Sequence, residues 1–157
     1  VFNGYPNTDR VVALDPASGA VLASLALGAN YDLTGAAFDA ATGLIFLTEN
    51  NGVGTRIVAV GAATGALVNS STAPYNIQSW SGLAVQPSSG HLWLGATNGG
   101  SSLVEYQINA DGSLTELRRV DIAAQGLNQN EISGLSLAPD GALWVSSTQG
   151  YIVRVNV

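Results

Sequence analysis

The sequence predicts an all-β fold built from repeated antiparallel sheets, and three observations predict it. Three segments superpose: LTGAAFDAATGLIFLT from Leu33, WSGLAVQPSSGHLWLGA from Trp80 and ISGLSLAPDGALWVSS from Ile132. Each runs from an apolar residue through Thr or Ser and Gly into an alternating stretch, a turn ending in Gly, and a second stretch carrying an aromatic. The anchoring glycines Gly35, Gly82 and Gly134 stand 47 and 52 residues apart, a period that with several strands per repeat belongs to propeller blades. Finally, no stretch carries a sustained i, i+3, i+4, i+7 apolar stripe between caps, so helices should be few or absent. The prediction is a β-propeller of four-stranded antiparallel blades, two complete and two partial per chain, which leaves an incomplete ring.

The blades follow one another along the chain, and residues 1–157 form a single propeller segment. Residues 1–30 hold a partial blade, with Arg10 to Leu14 as a third strand and Ala20 to Leu27 as a fourth, joined by DPASG. In residues 31–73 the first repeat segment supplies two strands, Thr55 to Val60 the third and Ala66 to Ser71 the fourth. Residues 78–122 repeat the scheme with Leu103 to Ile108 and Leu114 to Ile122. Residues 130–157 supply strands one to three and end in YIVRVNV. Tight turns rich in Gly, Asp and Asn, such as GAATG and NADG, separate the strands.

Composition narrows the chemistry. Of 157 residues none is Cys, which removes disulfides, thiolate metal sites and cysteine nucleophiles together. Charged residues make up 10 % of the chain, and its cations are Arg10, Arg56, Arg118, Arg119 and Arg154, with no lysine. A net charge of −6 lacks the basic footprint of nucleic-acid binding. No run reaches the roughly 18 apolar residues of a membrane-spanning helix. There is no G-x-S-x-G elbow, H-E-x-x-H helix or Walker loop. His91, the one histidine, sits on a turn where the other repeats carry Leu44 and Ala142, so a plain surface role is expected. Trp93 and Trp144 align with Phe46 as packing residues between blades, and Arg118 and Arg119 are expected to guard an outer strand edge.

Such a chain raises a question of closure. Propellers typically close about four to eight blades into a ring that leaves only short, protected edges. Either the natural polypeptide is longer, which a start at Val1 in mid-blade slightly favours, or copies associate. In the second case the strands from Ile132 to Val157 receive the Ala20 to Leu27 segment of another copy, and two chains give a six-bladed ring. A removed secretory segment is one explanation of the missing signal peptide and initiator Met; truncation of a larger protein is the other.

The connections sort onto two faces. DAATG, PSSG, PDG, PASG, AATG and ADG are tight turns that fix register. Residues 28–32, 50–55, 72–79, 97–102 and 123–131 form longer, varied loops on the other face, and binding residues concentrate on loops held by rigid frames. Candidate ligand-binding residues there are Tyr31, Tyr75, Asn50, Asn51 and Asn98, with Tyr5 as a further loop tyrosine; a carbohydrate or peptide is the ligand such rings stack on. Asp32, Ser79 and Glu131 occupy the same repeat position, at the start of the innermost strands. Asp32 and Glu131, with Asn130, offer oxygen ligands to a hard cation such as Ca²⁺.

SGLAVQPSSGHLWLG and SGLSLAPDGALWVSS, with LTGAAFDAATGLIFLT as a weaker third copy, resemble the NHL-repeat and gluconolactonase-like β-propellers of secreted bacterial proteins. The resemblance covers nearly the whole chain and implies an acidic metal site at the loop-bearing mouth, matched here only by Asp32 and Glu131. That fold carries lactonases, phosphatases, esterases and pure binding modules alike. The leading expectation is a non-catalytic extracellular or periplasmic module for ligand or protein binding or self-assembly, partnered by its own copies or by the rest of a larger propeller, with no nucleic acid and no membrane span. One alternative is a Ca²⁺-dependent hydrolase of lactonase or phytase type; another is a filament or surface-layer subunit built by strand exchange.

Overall fold

The computed structural model describes residues 10–27, 33–50, 55–73, 81–96, 102–123, 127 and 132–157, with residues 50 and 55 described by their backbone. Among them are thirteen strands in four antiparallel sheets. A two-stranded sheet pairs β1 (Arg10–Leu14) with β2 (Val21–Ala26). The next sheet runs β3 (Leu33–Asp39), β4 (Leu44–Asn50), β5 (Thr55–Gly61) and β6 (Leu67–Thr72) in sequence order. The third repeats that order with β7 (Leu83–Gln86), β8 (His91–Ala96), β9 (Ser102–Ile108) and β10 (Leu114–Asp121). The last contains β11 (Ile132–Leu137), β12 (Leu143–Ser147) and β13 (Ile152–Val155). Two sheets are therefore complete four-stranded blades; among the described residues the first sheet has two strands and the last has three.

Strands form here because β-branched and aromatic residues recur along a pleat, with both faces covered in the middle strands of the complete blades and the outer strands largely exposed. Tight turns set the register. Gly43 and Gly90, at φ 68° and 69°, close the first turn of each complete blade in the left-handed region that glycine enters without a Cβ penalty. Asp39 and Asp15 accept backbone N–H bonds from residues two and three further on and so fix the turns that follow them.

Three apolar layers lie between successive sheets. The first joins Val11, Leu25 and Leu27 to Ile45, Leu47 and Val58. The second joins Phe46, Ile57 and Ala59 to Leu83, Leu92 and Tyr106. The third joins Trp93, Leu103 and Ile122 to Ile132, Leu143 and Val155. Each blade thus has a backward face toward the preceding blade and a forward face toward the next. Along β4, for example, Ile45 and Leu47 look backward and Phe46 looks forward.

The sequence alignment of Phe46, Trp93 and Trp144 is thereby explained, with one correction. Phe46 and Trp93 are both 0 % exposed, whereas Trp144 is 44 % exposed, because no described blade stands in front of it. The same geometry accounts for Gly35 and Gly82 of the repeats. A Cβ at Gly35 would lie 2.6 Å from the Ser81 carbonyl oxygen, and one at Gly82 would lie 2.3 Å from the Leu135 nitrogen. Inner strands of successive blades approach too closely for any side chain there.

Candidate functional site

The loop-bearing end of the inner strands is where the sequence places function. Tyr5, Tyr31, Asp32, Asn51, Tyr75, Ser79, Trp80, Asn98, Asn130 and Glu131 lie outside the described residues, and Asn50 is described only as the last strand residue of β4, opposite Thr55. The chemistry on view at this end therefore comes from the strand termini that carry those loops.

Where β3, β4 and β7 meet, three hydroxyls close a triangle. Thr34 Oγ1 lies 2.9 Å from both Thr48 Oγ1 and Ser81 Oγ, and Ser81 Oγ lies 2.8 Å from Thr48 Oγ1. Thr48 and Ser81 are buried. Each hydroxyl has one proton and spare lone pairs, so the three satisfy one another in a cycle that polarises each bond. A hydroxyl becomes a nucleophile through an adjacent base, and among the described residues the hydrogen-bond partners of these three are one another. In the last sheet Ser133 and Ser146 repeat the Thr34–Thr48 pair at 3.1 Å. The intervening blade has Gly95 at the Thr48 position, and the Ile132 side chain fills the space a Cβ would need.

Glu49, one residue before Asn50, is 1 % exposed and pairs with Arg56 on the facing strand. It is a buried carboxylate at the loop-bearing end that the sequence reading passed over. Its signal was present: a lone acid closing the apolar run LIFLT, with an arginine at the mirrored position beyond the loop.

A second polar group lies on the forward face of the β7–β10 blade, and it corrects two expectations. His91 is no plain surface residue: its Nδ1 lies 2.7 Å from Glu105 Oε1, and its side chain is mostly buried. Arg118 does more than guard an edge, since its Nε donates to Glu105 Oε2 at 2.5 Å while its guanidinium sits 5.4 Å from the Trp93 ring centroid. An ionised carboxylate only accepts, so the His91 Nδ1–H donates. Burial works to raise the Glu105 carboxyl, but hydrogen bonds from Arg118 and His91 and the attraction of their charge outweigh it and hold the group below its ordinary range. His91 is thus engaged by a carboxylate, and it lies on the opposite end from the hydroxyl triangle.

Among the described residues no three His, Cys, Asp or Glu side chains gather as a metal-binding group. No helix among them is long and apolar enough to cross a membrane. The Asp32, Glu131 and Asn130 set falls on undescribed positions.

No family model matches the chain, and no curated protein matches it in sequence. Solved structures do match. A luciferin-regenerating enzyme superposes with a TM-score of 0.66 at 17 % identity, over 95 % of this chain and 52 % of its own. A gluconolactonase from Xanthomonas campestris gives 0.59 at 15 % identity, over 96 % of this chain and 46 % of its own. A protein from Lactobacillus plantarum gives 0.60 at 17 % identity, over 98 % and 50 %. The fold is the β-propeller these structures share. The chain spans about half the length of each structure it matches. Among the described residues the four sheets form an unclosed series.

Proposed function

We propose that this chain is a propeller module that works by binding and assembly, with a carbohydrate or peptide held on the loop-bearing face in an extracellular or periplasmic setting. The observation that carries this reading is the exposed apolar forward face of the last described sheet. Trp144 and Ile152, at 44 % and 72 % exposed, leave a forward blade face bare, and exposed apolar surface of this kind marks interaction sites. The closed hydroxyl triangle and the engagement of His91 by Glu105 agree with a non-catalytic role. The scarcity of charge and the absence of Cys and Lys suit a Gly-, Ser- and Asn-rich secreted surface.

A thermal-shift screen against oligosaccharides and short peptides tests the binding half. A ligand that binds only the native state raises the melting temperature by mass action. The shift is expected to vanish in the Tyr31→Ala and Tyr75→Ala variants. Retention of a shift in both variants would place binding elsewhere.

A second reading, a Ca²⁺-dependent hydrolase of lactonase type, is favoured by the likeness to a gluconolactonase and a luciferin-regenerating enzyme over almost all of this chain. In it Asp32 and Glu131 hold Ca²⁺, which polarises the scissile group. Saturating Ca²⁺ separates the two readings. The binding module shows no change in melting temperature and no lactone turnover, whereas a rise in either that Asp32→Asn and Glu131→Gln abolish would replace it with the hydrolase.

A further inference from the structure

Gln86 closes β7 and pairs with His91 across the first turn of its blade. The same repeat position of the preceding blade holds Asp39, whose carboxylate is occupied by its own turn. It accepts from the N–H groups of Ala41 and Thr42 and from the Thr42 hydroxyl at 3.1, 3.3 and 2.6 Å. Gln86 is one methylene longer and reaches across its blade instead. Its Oε1 lies 3.3 Å from the Trp93 indole nitrogen, and Ser89 Oγ approaches the same oxygen at 3.3 Å. An indole N–H only donates, so it fixes the amide with the oxygen toward Trp93 and the NH2 group turned away. Because Trp93 is fully buried, the amide is anchored to the core.

The NH2 group faces the next sheet. There the turn between β11 and β12 carries Gly141 at φ 88°, and a Cβ on that residue would stand 3.5 Å from Gln86 Nε2. Glycine suits this left-handed position, and it places no side chain over the amide. Between the two turns runs an open groove of about 590 Å³, within the roughly 300–1,000 Å³ usual for small-molecule sites. Pro87, Leu137 and Pro139 give it apolar walls, and Gln86, Ser88 and Asp140 give it polar ones.

Those polar groups select the occupant. Gln86 offers N–H donors, Asp140 offers carboxylate lone pairs, and the Ser88 hydroxyl offers both. The Ala142 N–H, and after it the charge and hydrogen bond of Arg154, hold the Asp140 carboxyl below its ordinary range. Among the described residues Asp140 is the one charge lining the groove, and Arg154 already balances it. An anion would be repelled by Asp140, and a cation would have to displace Arg154. A neutral molecule with several hydroxyls suits the set: one hydroxyl can accept from an amide N–H and donate to a carboxylate, while carbon-bound hydrogens rest on the prolines. We propose that this groove is a second ligand site, on the turn-bearing face, and that it takes a sugar residue. It stands at the opposite end of the blades from the loops and is independent of the reading given for them.

Nuclear magnetic resonance on isotope-labelled protein tests it, with the methyl glycosides of glucose, galactose and mannose titrated to about 100 mM, enough to fill a site of millimolar affinity. At least one glycoside is expected to move the Gln86 side-chain amide signals together with the Trp93 indole signal, because a hydroxyl bonded to Nε2 polarises the bond at Oε1. Gln86→Met removes the amide and is expected to weaken binding by about tenfold or more. That variant also leaves the Trp93 N–H without its acceptor. Asp140→Ala therefore gives a second test on a residue whose side chain is 61 % exposed, and a loss of about threefold to tenfold is expected. A joint shift that both variants diminish supports the site. No movement of either signal with any glycoside overturns it, as does a shift that persists at full strength in both variants. Movement with N-acetylprolinamide and with no glycoside overturns it in favour of a peptide. Shifts confined to the loop-bearing face overturn this proposal and leave the reading of that face intact.

Discussion

Glu105 shows what a single carboxylate contributes to this protein. Its side chain is buried, accepts hydrogen bonds from His91 and Arg118, and lies on the same face as Trp93. Its folded-state affinity for a proton falls below the ordinary value of 4.5. Between those two values the unfolded chain binds more protons than the folded one, so stability rises with pH through that window. The contribution is complete above the unfolded value and is lost as pH falls through the folded one. Urea unfolding at pH 7 and pH 3 is therefore expected to show a loss of stability in acid that the Glu105→Gln variant shows less of. A double-mutant cycle on Glu105 and Arg118 is expected to return a coupling of about 0.5–3 kcal/mol, nearer the lower figure because Arg118 is half exposed. Thr48→Val leaves the volume of the hydroxyl triangle nearly intact and removes one hydrogen bond from each of Thr34 and Ser81, which keep the bond between them; a cost of about 0.5–1.5 kcal/mol is expected in chemical denaturation.

At the scale of strands and turns, the repeat made most of the fold legible. The predicted third strand Arg10 to Leu14 is β1 with the same bounds, and Ala20 to Leu27 shortens by one residue at each end to β2. Period-two alternation and turn glycines are local signals, so they survive without knowledge of the rest of the molecule. Contacts across strands are not local. The His91–Glu105–Arg118 group spans three strands, and its members are 14 and 13 residues apart; only the β8–β9–β10 register brings them together. Asp32 and Glu131 follow from repeat position and the tyrosines from the length of the loops that carry them, and all of these fall outside the described residues. Alignment also treated Phe46, Trp93 and Trp144 as equivalent, which they are by register and are not by burial. The energetic consequence is a contrast between equivalent tryptophans. Trp93→Ala is expected to cost about 3–5 kcal/mol, the range for emptying a buried aromatic site. Trp144→Ala in dilute, unpaired protein is expected to stay within about 1 kcal/mol, since much of its surface is already in water. Equal losses would mean that Trp144 is covered.

For the whole molecule the central claim is directional: each blade seats the next one forward, and among the described residues the forward face of the last sheet carries no further blade. Three apolar layers between four sheets express that order, and the repeat glycines mark the seats. Strand edges and apolar faces left open in this way invite pairing, which connects the arc of blades to the binding and assembly role proposed for it. The claim predicts a position-dependent response to one identical substitution. Gly35, Gly82 and Gly134 are each replaced by Ala, and unfolding free energies are compared at submicromolar concentration. Overpacking against the backbone is expected to cost about 1–3 kcal/mol at Gly35 and at Gly82. Gly134→Ala is expected to be neutral or slightly stabilising, because the added methyl meets only a rotatable serine hydroxyl and restricts the unfolded chain. Equal destabilisation at all three glycines would contradict the account.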